Sequence, residues 1–141
     1  MQQGVKNMAS ITCKGIEDIA KKFQSMGKNI QPACEAAVYA GGKLLAEKLK
    51  EACPVKTGTL RKSIRAEKPT TGYGTGTVCV VRPTGKQHGE RNGAIAFYVE
   101  YGHGTGETKK PHAWWFPTIE MARPMIKEEV KKTFIREMKK V

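Results

Sequence analysis

The stretch IQPACEAAVYAGGKLLAEKLKEACP, Ile30 to Pro54, limits the fold more than any other part of the chain. Pro32 suits a first helical turn, where its missing N–H costs nothing. Ala33, Ala36, Ala37, Ala40, Leu44, Leu45, Leu49 and Ala52 then recur at helical spacing and make one apolar stripe. The pattern predicts a helix of about six turns, stopped by Pro54. Most of its stripe is alanine, and Gly41-Gly42 stands in the middle. Each glycine costs roughly 1 kcal/mol relative to alanine inside a helix. Either the helix bends there, or another backbone packs close against it. A face this small suits tight packing on a sheet or on a second helix.

A shorter helical pattern precedes it. Ile16, Ile19, Ala20, Phe23 and Met26 share a face, and Gly27 is a natural stop. Beyond Pro54 the period changes. SIRAEKP and TVCVVRP read as strands joined by TTGYGTG, a glycine-rich loop. A polar, basic loop, TGKQHGERNG, comes next. AIAFYVEYG then alternates, with Ile95, Phe97, Val99 and Tyr101 on one face of an expected strand and Ala96, Tyr98 and Glu100 on the other. A second loop ends in a short aromatic strand or edge, AWWFP. A last helix is expected from Thr118, carrying Ile119, Ala122, Ile126, Val130, Phe134 and Met138, with Pro124 delaying or kinking it. The fold class is therefore α+β: two N-terminal helices, the second one long, a small antiparallel sheet of three to four strands, and a C-terminal helix. One domain over residues 1–141 is expected, with 1–11 a loose N-terminal arm.

The 141 residues are enough to bury a core without staples. The opening residues lack the apolar core of a signal peptide, so a protein made and kept inside a cell is expected. Cys13, Cys34, Cys53 and Cys79 are widely spaced, which reads as reduced thiols acting as small hydrophobes. The net charge is +12. Residues 54–93 hold eight cations against two anions, half of the excess, whereas 94–125 are balanced. Such a field attracts polyanions, DNA above all.

Sites for chemistry are poorly supported. AGGKLL has the Gly-Lys of a phosphate loop but no following Ser or Thr, and it lies inside the helical pattern. GYGTG and GHGTG lack dinucleotide spacing. Glu100, His103 and His112 are the residue types of a small nuclease, yet they follow no ligand pattern and have no acidic cluster beside them. No catalytic residue, metal or cofactor is expected. A nucleic-acid reading can draw on Phe97, Tyr98 and Tyr101 for stacking and on basic side chains for phosphates. The candidate DNA or partner contacts are Arg61, Lys62, Arg65, Arg82, Lys86 and Arg91. No known reader module accompanies them. Trp114 and Trp115 look like an anchor that packs a loop onto a core or a neighbour.

CPVKTGTLRKSI, Cys53 to Ile64, reads as a helix-to-strand corner. Gly58 supplies a turn with positive φ, and Thr57 or Thr59 caps a helical turn through its hydroxyl. Leu60 and Ile64 enter the core, leaving Arg61 and Lys62 outside. This segment resembles the signature of the gene-product-ten-like tail-component family of tailed bacteriophages. The resemblance rests on Pro54, Thr57, Gly58, Leu60, Arg61, Ser63 and Ile64. A second family block, an aromatic strand followed by a Pro-rich aromatic segment and a helix, is matched by Tyr98, Glu100, Tyr101, Gly102, Pro111, Trp115 and Phe116. His103 and Gly104 intervene before Thr105, where the family has Gly-Thr directly. Trp114 stands where a Pro-Phe pair is common.

The resemblance implies a non-enzymatic structural virion protein of a phage or prophage, acting in head–tail joining or tail completion. It implies assembly with itself as a ring, commonly a hexamer, around the DNA channel. Connector or tail-tube proteins would be its partners, with DNA nearby and no membrane. It would be built in the host bacterial cytoplasm and end in the virion. The rival reading is a basic nucleic-acid-binding module.

Overall fold

The computed structural model describes residues 14–54, 58–72, 76–87, 89–101 and 113–140, and all their side chains except those of 14–17, 72, 87 and 98–101. The expected 1–11 arm lies outside these residues. The element order is α1 (Lys14–Ser25), α2 (Gln31–Ala52), α3 (Thr59–Ser63), β1 (Ile64–Ala66), β2 (Thr70–Gly72), β3 (Gly76–Val78), β4 (Val81–Pro83), β5 (Lys86–Gln87), β6 (Glu90–Arg91), α4 (Asn92–Tyr101) and α5 (Trp115–Met138). This is a mixed α+β fold.

Helix α1 ends as its sequence suggests. Gly27 has φ 77°. Its N–H bonds the Gln24 carbonyl, and the Lys28 N–H bonds that of Phe23. This pairing satisfies carbonyls that a helix end leaves free. Met26 departs from the expected stripe, since it is largely exposed. It lies past the last helical turn, where helical spacing no longer sets direction.

Helix α2 is the spine. It packs most extensively against α5, and also against β1, β3 and β4. Ala33, Ala37, Gly41, Gly42, Leu45, Ala46 and Leu49 are buried, whereas Ala52 is exposed. The two glycines face different neighbours. A Cβ on Gly41 would stand 2.6 Å from Val130 Cγ2 and 3.2 Å from Ile126 Cγ2, both on α5. A Cβ on Gly42 would overlap the Cys79 thiol. The glycines therefore mark close approach of segments on two sides. Cys53 is extended (φ −64°, ψ 125°), as a residue before proline prefers.

Among the described residues the strands form three two-stranded antiparallel ladders. Ile64, Arg65 and Ala66 pair with Pro83, Arg82 and Val81; Thr70, Thr71 and Gly72 pair with Val78, Thr77 and Gly76. The Glu67 N–H to Val80 carbonyl bond, 2.8 Å, lies between the two ladders. Together they make one ribbon, broken where Pro69 has no N–H to give. TVCVVRP is therefore two short strands, and part of TTGYGTG belongs to a ladder rather than to a loop. Within the expected loop TGKQHGERNG, Lys86 and Gln87 pair with Arg91 and Glu90.

Two expected strands are helical. Residues 94–101 of AIAFYVEYG lie in α4, and Gly102 lies outside the described residues. The alternation of this run was ambiguous, because both supposed faces were mostly apolar. Tertiary anchoring decides the matter. Asn92 is buried, its Nδ2 donates to the Thr84 carbonyl at 2.7 Å, and its N–H donates to the Gly85 carbonyl at 2.9 Å. One helical turn on, Ala96 is buried as well. The aromatic segment AWWFP contains the N-cap and first turn of α5, so this helix starts before Thr118 rather than late. Pro117 sits at its third position, where the N–H has no intrahelical partner to lose. The helix continues through Pro124.

The core lies between α2, α5 and the start of the ribbon. Phe134, Leu45, Leu49, Ile64, Ile126, Met138 and Val81 are its most deeply buried large side chains. Each contributes about 1.5–3 kcal/mol through burial. Phe23 of α1 meets Phe134 edge-on, with ring centroids 6.2 Å apart.

Candidate assembly surface

The corner after α2 is built as a turn, a five-residue helix and a strand. Gly58 is the N-cap of α3 with φ 84°. The sequence suggested a cap from Thr57 or Thr59; the N-cap position itself is held by Gly58, which has no side chain to accept a bond. Thr57 lies outside the described residues. Leu60, Ser63 and Ile64 are buried, and Lys62 is exposed. The Ser63 hydroxyl donates to the Leu60 carbonyl at 2.6 Å. The Ser63 carbonyl accepts both the N–H and the hydroxyl of Thr84, each at 2.8 Å. With Asn92 bonded to the Thr84 carbonyl, one chain of hydrogen bonds joins α3, the end of β4 and α4.

Arg61 does not stand free. Its guanidinium reaches back to the Cys53 carbonyl, 3.4 Å away, at the C-terminal end of α2. A cation is favoured there by the helix dipole. Its Nε is buried without a hydrogen-bond partner among the described residues. Arg61 thus braces the corner from inside.

A valine at position 58 is expected to destabilise the protein by about 2 kcal/mol through the left-handed backbone alone, because among the described residues no atom beyond the chain neighbours lies within 4 Å of the added Cβ. Leu60→Ala is expected to cost about as much, roughly 2 kcal/mol, by opening a cavity at the edge of the core. Urea denaturation checks both. Full stability in either variant contradicts this account of the corner.

The other candidate cations are spread along the ribbon and the hairpin after it. Arg65 and Arg82 face each other across β1 and β4. Arg82 is neutralised by Glu67, with Nε and Nη2 donating to the two carboxylate oxygens at 3.1 and 3.0 Å. That hydrogen bonding raises the pKa of the guanidinium further. Lys86 and Arg91 are directly opposed on β5 and β6, and both are exposed. Among the described residues, Lys62, Arg65, Lys86 and Arg91 make no ion pair. Arg65 also lines an open groove of about 720 Å³ with Tyr39, Lys43, Lys50, Glu47 and Glu129. Lys43 Nζ lies 4.7 Å from the centre of the Tyr39 ring.

The second block is only partly in view. Tyr98, Glu100 and Tyr101 fall on α4 rather than on a strand, and their side chains, with Gly102 and Pro111, lie outside the described residues. Trp115 is buried and Phe116 packs against the core. Trp114 and Trp115 meet edge-on at 5.3 Å, so the anchor packs into the chain's own core. Phe97 is half-buried. Three polar residues that no motif singled out hold the ribbon and helices together. Thr84 and Asn92 do so as above, and Gln31 Nε2 reaches Thr71 Oγ1 at 2.6 Å, tying the start of α2 to β2. Only Asn92 had a legible signal, as a cap-type residue heading an apolar run.

Among the described residues, no group of three His, Cys, Asp or Glu could hold a metal, and no helix is long and apolar enough to cross a membrane. His88, His103, His112 and Cys13 lie outside them. Cys34, Cys53 and Cys79 are free thiols. Burial pushes all three pKa values up, that of Cys79 to about 11, away from the reactive thiolate.

No curated protein and no solved structure is similar enough to match the chain. A family model does match, over residues 17–102, and carries the description "Bacteriophage HK97-gp10, putative tail-component". That span holds α2, the corner with its buried Leu60 and Ile64, the ribbon and α4. The chain belongs to this HK97-gp10-like family of phage tail components, a family of structural proteins.

Proposed function

We propose that the chain acts in head–tail joining or tail completion of a tailed phage or prophage, assembling as a ring around the DNA channel with a hexamer as the expected count. The observation that carries this reading is the family match across α2, the corner and the ribbon. The braced corner adds support, because the most characteristic motif is spent on architecture, which an assembly subunit needs. The ribbon carries cations outward, toward DNA or an acidic connector or tail-tube partner. Single domain organisation, virion location and assembly in the host cytoplasm belong to the same proposal.

Absolute mass in solution, from light scattering after size exclusion at low and high salt, tests it. The expected result is a discrete species several times the 15.6 kDa chain mass, formed without DNA. A chain that stays monomeric and ignores DNA removes self-assembly from the reading.

One observation favours the second reading, a nucleic-acid-binding module. Like charges directly opposed across strands destabilise a ladder by roughly 0.2–1 kcal/mol, and Lys86 and Arg91 are such a pair. A phosphate backbone would relieve it. The same experiment with duplex DNA then gives a monomer that binds tightly and releases as salt rises, with a log–log slope of about −0.9 per phosphate neutralised.

A further inference from the structure

Helix α5 buries one face against α2 and presents the other to solvent. Met121 and Met125, one turn apart on that outer face, are 79% and 46% exposed. Pro117 and Pro124 are exposed beside them. The spacing 117, 121, 124, 125 puts all four on one strip. About two turns further along, the same side of the helix turns basic. Lys131 and Lys132 follow Pro124 and Met125 by seven residues, and Lys127 flanks them; all three are exposed. None has an ion pair among the described residues. Glu128 is the one unpaired acid between the two halves. Glu120 is held by Arg123 at 2.9 Å, Glu137 by Lys140 at 3.0 Å, and Glu129 accepts the Thr133 hydroxyl and lines the groove toward α2.

We infer that this face docks an acidic, apolar-anchored helical segment of a partner protein. Exposed methionines one turn apart adapt to a partner's side chains, and an apolar strip rimmed by charge marks an interaction face. Anchors at i, i+4 and i+7 are what one helix offers another. Charge complementarity chooses the acidic partner, because the chain carries +12 overall and Lys127, Lys131 and Lys132 outnumber Glu128, the one unpaired acid on this face. A second copy fits less well. It brings the same positive charge to a face that is already basic. DNA would use the lysines and leave the methionines idle. The inference rests on the assembly reading only for the kind of partner expected.

The test uses two synthetic amphipathic helical peptides with the same leucine pattern, one with glutamate and one with lysine on its polar face. Each is titrated against the full chain by fluorescence anisotropy, at low and high salt. The glutamate peptide should bind at least about tenfold more tightly than the lysine peptide. Met121→Ser combined with Met125→Ser should weaken it about tenfold, with the melting temperature held within about 2 °C because both side chains are exposed. Lys131→Glu with Lys132→Glu should reverse the peptide preference. Equal affinity for both peptides, or an unchanged affinity in either double variant, overturns the inference. So does a dimer that forms with rising concentration and is lost in the methionine variant, which would give the face to a second copy. Duplex DNA that binds through these lysines while neither peptide binds would give it to nucleic acid. Every variant is first weighed by light scattering. A failed titration on protein that still assembles strikes this inference and leaves the joining reading standing.

Discussion

Phe134→Ala is expected to destabilise the protein by about 4 kcal/mol, the largest effect of any single substitution considered. Phe134 is 1% exposed, and truncating a buried phenylalanine costs about 3–5 kcal/mol through lost burial and the cavity left behind. For a chain of this length, that lowers the melting temperature by roughly 13 °C. The ring is also where α1 is fastened, through the edge-on contact with Phe23. Hydrogen exchange should therefore show α1 losing protection first. Phe134→Leu keeps most of the volume and should cost less than about 1.5 kcal/mol. A loss under 1 kcal/mol for the alanine variant, or α1 protection unaffected, would show that this contact does not hold the helix.

Gly41→Val is expected to cost about 3 kcal/mol by overpacking, a fall of about 10 °C in melting temperature. Valine is a poorer helix former than alanine, yet replacing a mid-helix glycine with it should still gain roughly a few tenths of a kcal/mol. The sign reverses here because the new Cβ meets Val130 Cγ2 at 2.6 Å. Val130 is β-branched, has few rotamers in a helix, and cannot swing away. The decisive control is Gly41→Ala with and without Val130→Ala. Removing Cγ2 makes room, so the pair should be coupled, the double variant being more stable than the sum of the single effects predicts. Strict additivity would mean that the helices move apart freely and that close approach is not why glycine stands there.

Much of the helical framework was legible from residue order. The alanine stripe of α2, its start at Pro32 and its stop before Pro54 follow from local rules, as does the αL turn at Gly27. The corner was legible for the same reason. Positive φ at Gly58 and burial of Leu60 and Ile64 are demanded within a few residues of chain. The alternating run from Ala94 misled, because apolar residues on both supposed faces carry no period. Arg61 misled in another way. Its charge suggested an outward contact, but the carbonyl it reaches is eight residues away in sequence. The like-charge pair of Lys86 and Arg91 was invisible until a ladder set their register.

What the sequence by itself determined, then, is each feature whose cause is local: where helices start and stop, which glycine must turn left-handed, and how the charge is distributed along the chain. Only the tertiary structure decided features whose cause is a distant neighbour. Asn92 bonded to Thr84 makes a helix of residues that would suit a strand. Val130 and Cys79 explain why Gly41 and Gly42 cannot be larger. The packing of α5 on α2 turns Met121 and Met125 outward. In each case the deciding energy is a contact outside the helical or strand period, eight residues away for Asn92 and much farther for the others, and one-dimensional periodicity holds no record of it.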